Sequence, residues 1–244
     1  MRNRFFVYAV LIIIAVGSSV ATFELQLKRR VLTPVGVVQT KSFSWFVQPF
    51  EPSVQLLVQR IIANQNSAFW ENLEALYDYV ATYINYKSDE EVWNKPDYWQ
   101  TPAESLRLKT GDCEDQAILL CSLLLAWKPD LPASCITIFG ETTGFGHCAV
   151  IIAFGDQICI LDPAGGWFTS DANVTILKNG VVRIGGTGKI TKQPAETELE
   201  NWLKYWELSG MQNARITCTF NYHDQRQYDT NREFLTWIAT GGGN

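Results

Sequence analysis

The chain has 244 residues, of which 47% are hydrophobic, 18% charged and 13% aromatic, with 17 Gly and 9 Pro. That profile belongs to an ordinary folded domain and excludes disordered, collagenous and low-complexity chains. Lys and Arg number 20 against 25 Asp and Glu, for a net charge of −5, and no basic stretch exceeds Lys28-Arg29-Arg30. The electrostatic footprint of a nucleic-acid binder is therefore missing.

Arg2 and Arg4 precede an apolar run from Phe5 to Ala21 that ends in small residues, Ser19-Val20-Ala21 among them. This order predicts a secretory signal peptide over residues 1–21. The same run lies at the lower edge of the ~17 to 25 residues that span a bilayer, so an uncleaved membrane anchor is the rival reading. Both place the rest of the chain outside the cytoplasm, secreted or membrane-anchored. Residues 1–21 contain two Arg and no acid, so the remainder is more acidic still. Residues 22–52 mix strand-like residues with Pro34, Gly36, Pro49 and Pro52 and read as a connector or an accessory strand.

From Ser53 the apolar spacing turns helical, first through Leu56, Leu57, Ile61 and Ile62, then through Phe69, Leu73, Leu76, Tyr77, Val80 and Ile84. Residues 87–101 are polar, and Pro96 and Pro102 break any continuous helix. They read as a packed loop whose Trp93 or Trp99 could line a cleft. Asp112 is a favourable helix N-cap, with Asp115 three residues on, and the segment Cys113–Trp127 that follows is apolar nearly all round, as a central buried helix is. Strand-like runs come next, at 135–140, 147–154 and 157–161, with later ones near 181–184 and 216–220. Residues 196–208 and 231–238 look helical.

Six cysteines occur without a Cys-x-x-Cys, and His147 and His223 are the only histidines, so no usual zinc spacing can be assembled. Cys121, Cys135, Cys148 and Cys159 sit in apolar runs, where free thiols pack as small hydrophobes. Cys113 differs, because it stands at a predicted helix N-terminus, where free N–H groups favour a thiolate. Asp112, Glu114 and Asp115 oppose that ionisation, so Cys113 needs a partner base. His147 is the better candidate, since His223 lies in a polar run between Tyr222 and Asp224.

A geometric check follows from Gly155-Asp156. A two-residue loop beginning with Gly suits a type II′ hairpin. In that register Asp162 faces Ala149, so His147 and Asp162 become diagonal neighbours on one sheet face, and Cys148 points to the other.

The stretches Trp99-Gln100-Thr101-Pro102-Ala103-Glu104, Gly111-Asp112-Cys113-Glu114-Asp115-Gln116-Ala117, Gly146-His147-Cys148-Ala149-Val150 and Leu161-Asp162-Pro163 together resemble the core of the transglutaminase-like superfamily. The likeness is to its bacterial cysteine-proteinase branch, and it covers about residues 65–165. It implies an α+β, papain-like fold in which a helix bearing the nucleophile packs on an antiparallel sheet. Residues 53–244 would then be a transglutaminase-like domain with a C-terminal extension. By the same resemblance Cys113 attacks an amide carbonyl, His147 accepts its proton and later protonates the leaving amine, and Asp162 orients the imidazole. The Cys113 N–H supplies part of an oxyanion hole, with Trp93, Tyr98, Trp99 and Gln100 open as the second donor. No cofactor is required by this reading. Some relatives hold calcium beside the nucleophile, and Asp112 with Glu114 would be the matching oxygen ligands.

The expected function is an exported, thiol-dependent acyl-transfer enzyme acting on amide bonds of proteins or peptides, by hydrolysis or transamidation, through Cys113, His147 and Asp162. The alternative is a non-catalytic peptide- or glycan-binding module on the same fold.

Overall fold

A computed structural model describes residues 42–62, 68–177 and 180–241. Helices are α1 (Pro52–Ile61), α2 (Phe69–Tyr83), α3 (Asp89–Trp93), α4 (Pro102–Leu108), α5 (Cys113–Trp127), α6 (Ala195–Leu208) and α7 (Asn231–Ala239). Strands are β1 (Asn85–Tyr86), β2 (Thr110–Gly111), β3 (Ala133–Gly140), β4 (Phe145–Phe154), β5 (Gln157–Asp162), β6 (Trp167–Phe168), β7 (Asn173–Leu177), β8 (Gly180–Ile184), β9 (Gln193–Pro194), β10 (Ala214–Phe220) and β11 (Gln225–Gln227). A 3-10 turn, Phe43–Phe46, precedes them.

Every residue of α5 from Cys113 to Leu125 is buried, as an all-round apolar surface requires. Its interior polar groups are bonded. Ser122 Oγ donates to Ile118 O (2.7 Å) and accepts from Gln48 N (2.9 Å). Gln116 Nε2 donates to Ile84 O and Gly111 O, each at 3.3 Å. The Gln48 bond, with buried Phe46 and Val47, ties the described part of the 22–52 connector into the main core.

The sheet runs β11-β10-β3-β4-β5-β6, with β9 also on β5, and all its pairings are antiparallel. Gly155 has φ +67° while Asp156 stays outside the positive-φ region, the pattern of a II′ turn. The turn sets Val150 opposite Leu161 and Phe154 opposite Gln157, the register read from the sequence. Alternation then sorts the faces. Cys148, Val150, Ile152, Cys159 and Leu161 join the core under α5. The intervening residues, among them His147, Ile151, Ile160 and Asp162, face the opposite side, where α6 lies. Helix on antiparallel sheet is the α+β arrangement expected.

Two short helices, α3 inside the stretch read as loop and α4 just after it, depend on caps. Ser88 and Glu91 form a capping box at α3, and Thr101 and Glu104 form one at α4, with Pro102 in the first turn. Pro there starts a helix instead of breaking one. Trp99 stacks on Phe43 with centroids 4.6 Å apart, so it packs against the core. All six cysteines are free thiols and buried. Among the described residues no helix is long and apolar enough to cross a membrane, and the apolar run at 5–21 lies outside them.

Candidate active site

Cys113 is the first residue of α5, so its own N–H has no intrahelical acceptor. Asp112 occupies the N-cap position expected for it, and its side chain makes no capping hydrogen bond. Asp115 does the work instead, accepting from Asp112 N (3.3 Å), Gln100 N (2.7 Å) and Gln100 Nε2 (2.6 Å). A Cβ at Gly111 would stand 2.6 Å from Asp115 Cβ, so glycine is what lets this carboxylate fold under the turn.

The Cys113 thiol donates to Glu114 Oε2 at 3.1 Å. Burial pushes its pKa well above the ordinary thiol value, and the Glu114 and Asp112 charges push it the same way. His147 Nε2 and Asp162 Oδ2 are 2.8 Å apart and buried, which realises the diagonal pair. Cys113 lies near Cys148, the residue beside His147 in β4. The structure thus joins His147 to Asp162 directly and sets Cys113 alongside β4, with its thiol bonded to Glu114 and not to the imidazole.

Asp162 is fully buried. Besides His147 its Oδ2 accepts from Trp202 Nε1 (3.0 Å) and Trp206 Nε1 (3.1 Å), and its Oδ1 accepts from Gly165 N (2.7 Å). The Trp206 ring lies over the imidazole, with centroids 3.8 Å apart. His223 is exposed and stacks on Tyr222.

Beside the thiol the chain gathers carboxylates. Asp89, Asp97 and Glu114 can bring one oxygen each to within 4.8 Å of one another, as can Asp89, Asp112 and Asp115. Burial, and then the charge of Glu114, raise Asp89 to about 7 and Asp97 to about 6. The same two causes hold Asp112 and Asp115 well above the usual carboxylate range. Asp89 Oδ1 and Asp112 Oδ1 are buried without a hydrogen-bond partner.

Asp89, Asp97, Trp202 and Trp206 are site-forming residues that sequence reasoning did not single out. The Ser88-to-Glu91 capping box was a local signal for α3, and the four-residue spacing of Trp202 and Trp206 puts both on one helix face. Neither signal says what those faces meet. Of the four candidate oxyanion donors, Tyr98 Oη donates to Glu104 and Gln100 Nε2 to Asp115. Trp99 hydrogen-bonds Asp97, and Trp93 Nε1 is buried without a partner.

Residues 53–164 match the family model described as bacterial transglutaminase-like cysteine proteinase. No curated protein matches the chain. Similar solved structures include EGTA-treated LapG of Legionella pneumophila, at 16% identity over 64% of this chain and 96% of that one, with a TM-score of 0.39. Calcium-bound LapG aligns at 16% identity over 75% and 96%, with a TM-score of 0.37. Arylamine N-acetyltransferase C of Bacillus anthracis aligns at 10% identity over 78% and 98%, with a TM-score of 0.36.

Proposed function

On the premise of a transglutaminase-like cysteine-proteinase core over residues 53–164, we propose that the chain is an exported cysteine peptidase that cleaves amide bonds of proteins or peptides. The observation that carries this is the buried His147–Asp162 pair at 2.8 Å, whose histidine sits on β4, the strand against which α5 packs. With Nε2–H bonded to the carboxylate, Nδ1 is left as the acceptor for the thiol proton. Proton transfer to that nitrogen requires the Cys113 thiol to leave Glu114 and come within hydrogen-bond reach of His147. The sulfur then attacks the carbonyl carbon, the leaving amine takes the proton back from His147, and water hydrolyses the thioester. Developing oxyanion charge is met by the Cys113 N–H, and among the four candidate second donors Trp93 Nε1 is the one without a hydrogen-bond partner. Transfer to an amine in place of water is the transamidation variant of the same chemistry.

The carboxylate cluster fits a hard divalent cation such as calcium, held by Asp89, Asp97, Asp112 and Glu114. Two orphaned buried oxygens and four upward-shifted carboxyls mark a place that lacks positive charge. When bound, calcium supplies that charge, while attack, proton transfer and release stay with Cys113, His147 and Asp162.

The test is mass spectrometry after treatment with iodoacetamide. Labelling confined to Cys113 is expected. Cys113 is also the least deeply buried of the six thiols, so exposure alone could select it, and the decisive comparison is His147→Ala. Labelling should fall at least tenfold in that variant while the fold persists by circular dichroism. An unchanged rate would instead favour the binding module.

A further inference from the structure

We propose that Trp202 and Trp206 of α6, which lie beyond the family-matched residues 53–164, are positioning residues that set the tautomer and ring orientation of His147. The inference rests on the Cys113–His147–Asp162 reading and deepens it.

Asp162 has four hydrogen-bond partners, three of them converging on Oδ2, and Gly165 N, Trp202 Nε1 and Trp206 Nε1 are donors whichever tautomer His147 adopts. Two of the three are indole N–H groups, from residues 40 and 44 positions down the chain. Indole nitrogen can only donate. A carboxyl oxygen ringed by these groups must act as an acceptor, and so draws the proton of the neighbouring imidazole to Nε2. Nδ1 is then left with its lone pair, as the proposed base requires. Trp206 adds a second restraint, because its ring covers the imidazole at 3.8 Å and blocks rotation about the bonds that carry it. Trp202 and Trp206 are themselves almost fully buried on a helix anchored elsewhere: Trp167 Nε1 and Thr169 Oγ1 both donate to Glu198 Oε1, at 2.9 and 2.7 Å. Glu198, Trp202 and Trp206 repeat every four residues along one face of α6. That face therefore acts as a strut fixing β5 and β6, and the two indoles are the part of it that reaches Asp162.

The experiment uses the full-length protein labelled with 15N-histidine. Only two histidines contribute, and His223→Gln assigns the spectrum. Trp202→Phe and Trp206→Phe each keep a ring and remove one donor, and the double variant removes both. At a pH where the imidazole is neutral, wild type should show one tautomer of His147, with the proton on Nε2. The double variant should show averaging between tautomers, and its iodoacetamide rate constant at Cys113 should fall about tenfold or more, with smaller falls in the single variants. If the double variant does not fold, the single variants decide by the same readings. A His147 tautomer unchanged in every folded variant overturns the proposal, even where the melting temperature drops, since a merely structural role predicts just that. If the tautomer responds but neither wild type nor variants react at Cys113, positioning stands and the peptidase reading fails.

Discussion

Glu198 shows how much a single residue can carry. It is buried on α6 and accepts from Trp167 Nε1 and Thr169 Oγ1, yet burial raises its pKa above the ordinary carboxylate value despite those bonds and the nearby Arg183 charge. A raised folded-state pKa means that the buried charge costs stability at neutral pH, and that the cost disappears as pH falls through the folded value toward the unfolded ~4.3. Glu198→Gln keeps an oxygen acceptor for both donors and removes the charge. It should melt at or above wild type at pH 7, with the difference closing toward pH 4. Glu198→Ala strands both donors and should cost about 1–3 kcal/mol at either pH. Thermal melts of the three proteins across that range check both statements, and a Glu198→Gln variant less stable than wild type at pH 7 would refute the first.

At the scale of elements, the β4–β5 hairpin and its continuation into Gly165 build the histidine–carboxylate pair. A Cβ at Gly165 would lie 2.5 Å from Asp162 Oδ2 and 2.7 Å from Trp206 Cζ2, so the turn and α6 can close on Asp162 only around a glycine. Gly165→Ala should push carboxylate and indole apart, lowering stability by about 1–3 kcal/mol, the usual range for overpacking. It should also slow iodoacetamide labelling of Cys113. Gly155→Ala belongs to the same hairpin but meets nothing within 4 Å. Its φ of +67° should cost about 1 kcal/mol of stability and leave the labelling rate unchanged. Equal labelling in both variants and wild type would mean that the Gly165 turn does not govern the site.

The whole molecule brings α3, the loop after it and the start of α5 to one place, and so concentrates carboxylates whose mutual repulsion and burial outweigh the nearby Lys95 charge. Calcium should raise the melting temperature with the logarithm of its free concentration above Kd, adding about 2.7 kcal/mol of stability at one hundred times Kd. Asp89→Asn removes a buried charge while its amide oxygen can still accept from Tyr98 N, as Asp89 Oδ2 does now. At pH 8 in EGTA this variant should melt higher than wild type, and calcium should stabilise it less. Identical melts of wild type in EGTA and in calcium would remove the cation site from the account. At the same scale, export predicts recovery outside the cytoplasm, either beginning near Thr22 or membrane-bound at full length. Intact soluble chain in the cytosol would contradict it.

The sequence by itself determined the features governed by short-range rules. Apolar periodicity marked α1 and α2, an all-round apolar surface marked α5, and the two-residue Gly155-Asp156 loop fixed a register that set His147 diagonal to Asp162 and turned Cys148 into the core. These follow because helix period and strand alternation are properties of neighbouring residues. What only the tertiary structure decided is which faces meet. That Asp89 and Asp97 join Asp112 and Glu114, that the Cys113 thiol bonds Glu114 in place of His147, and that two indoles from α6 converge on Asp162 all depend on the docking of segments distant in the chain. No local pattern specifies that docking: a tryptophan at helical spacing buries equally well against any apolar surface, and a carboxylate shows its neighbours only once the chain has closed around it.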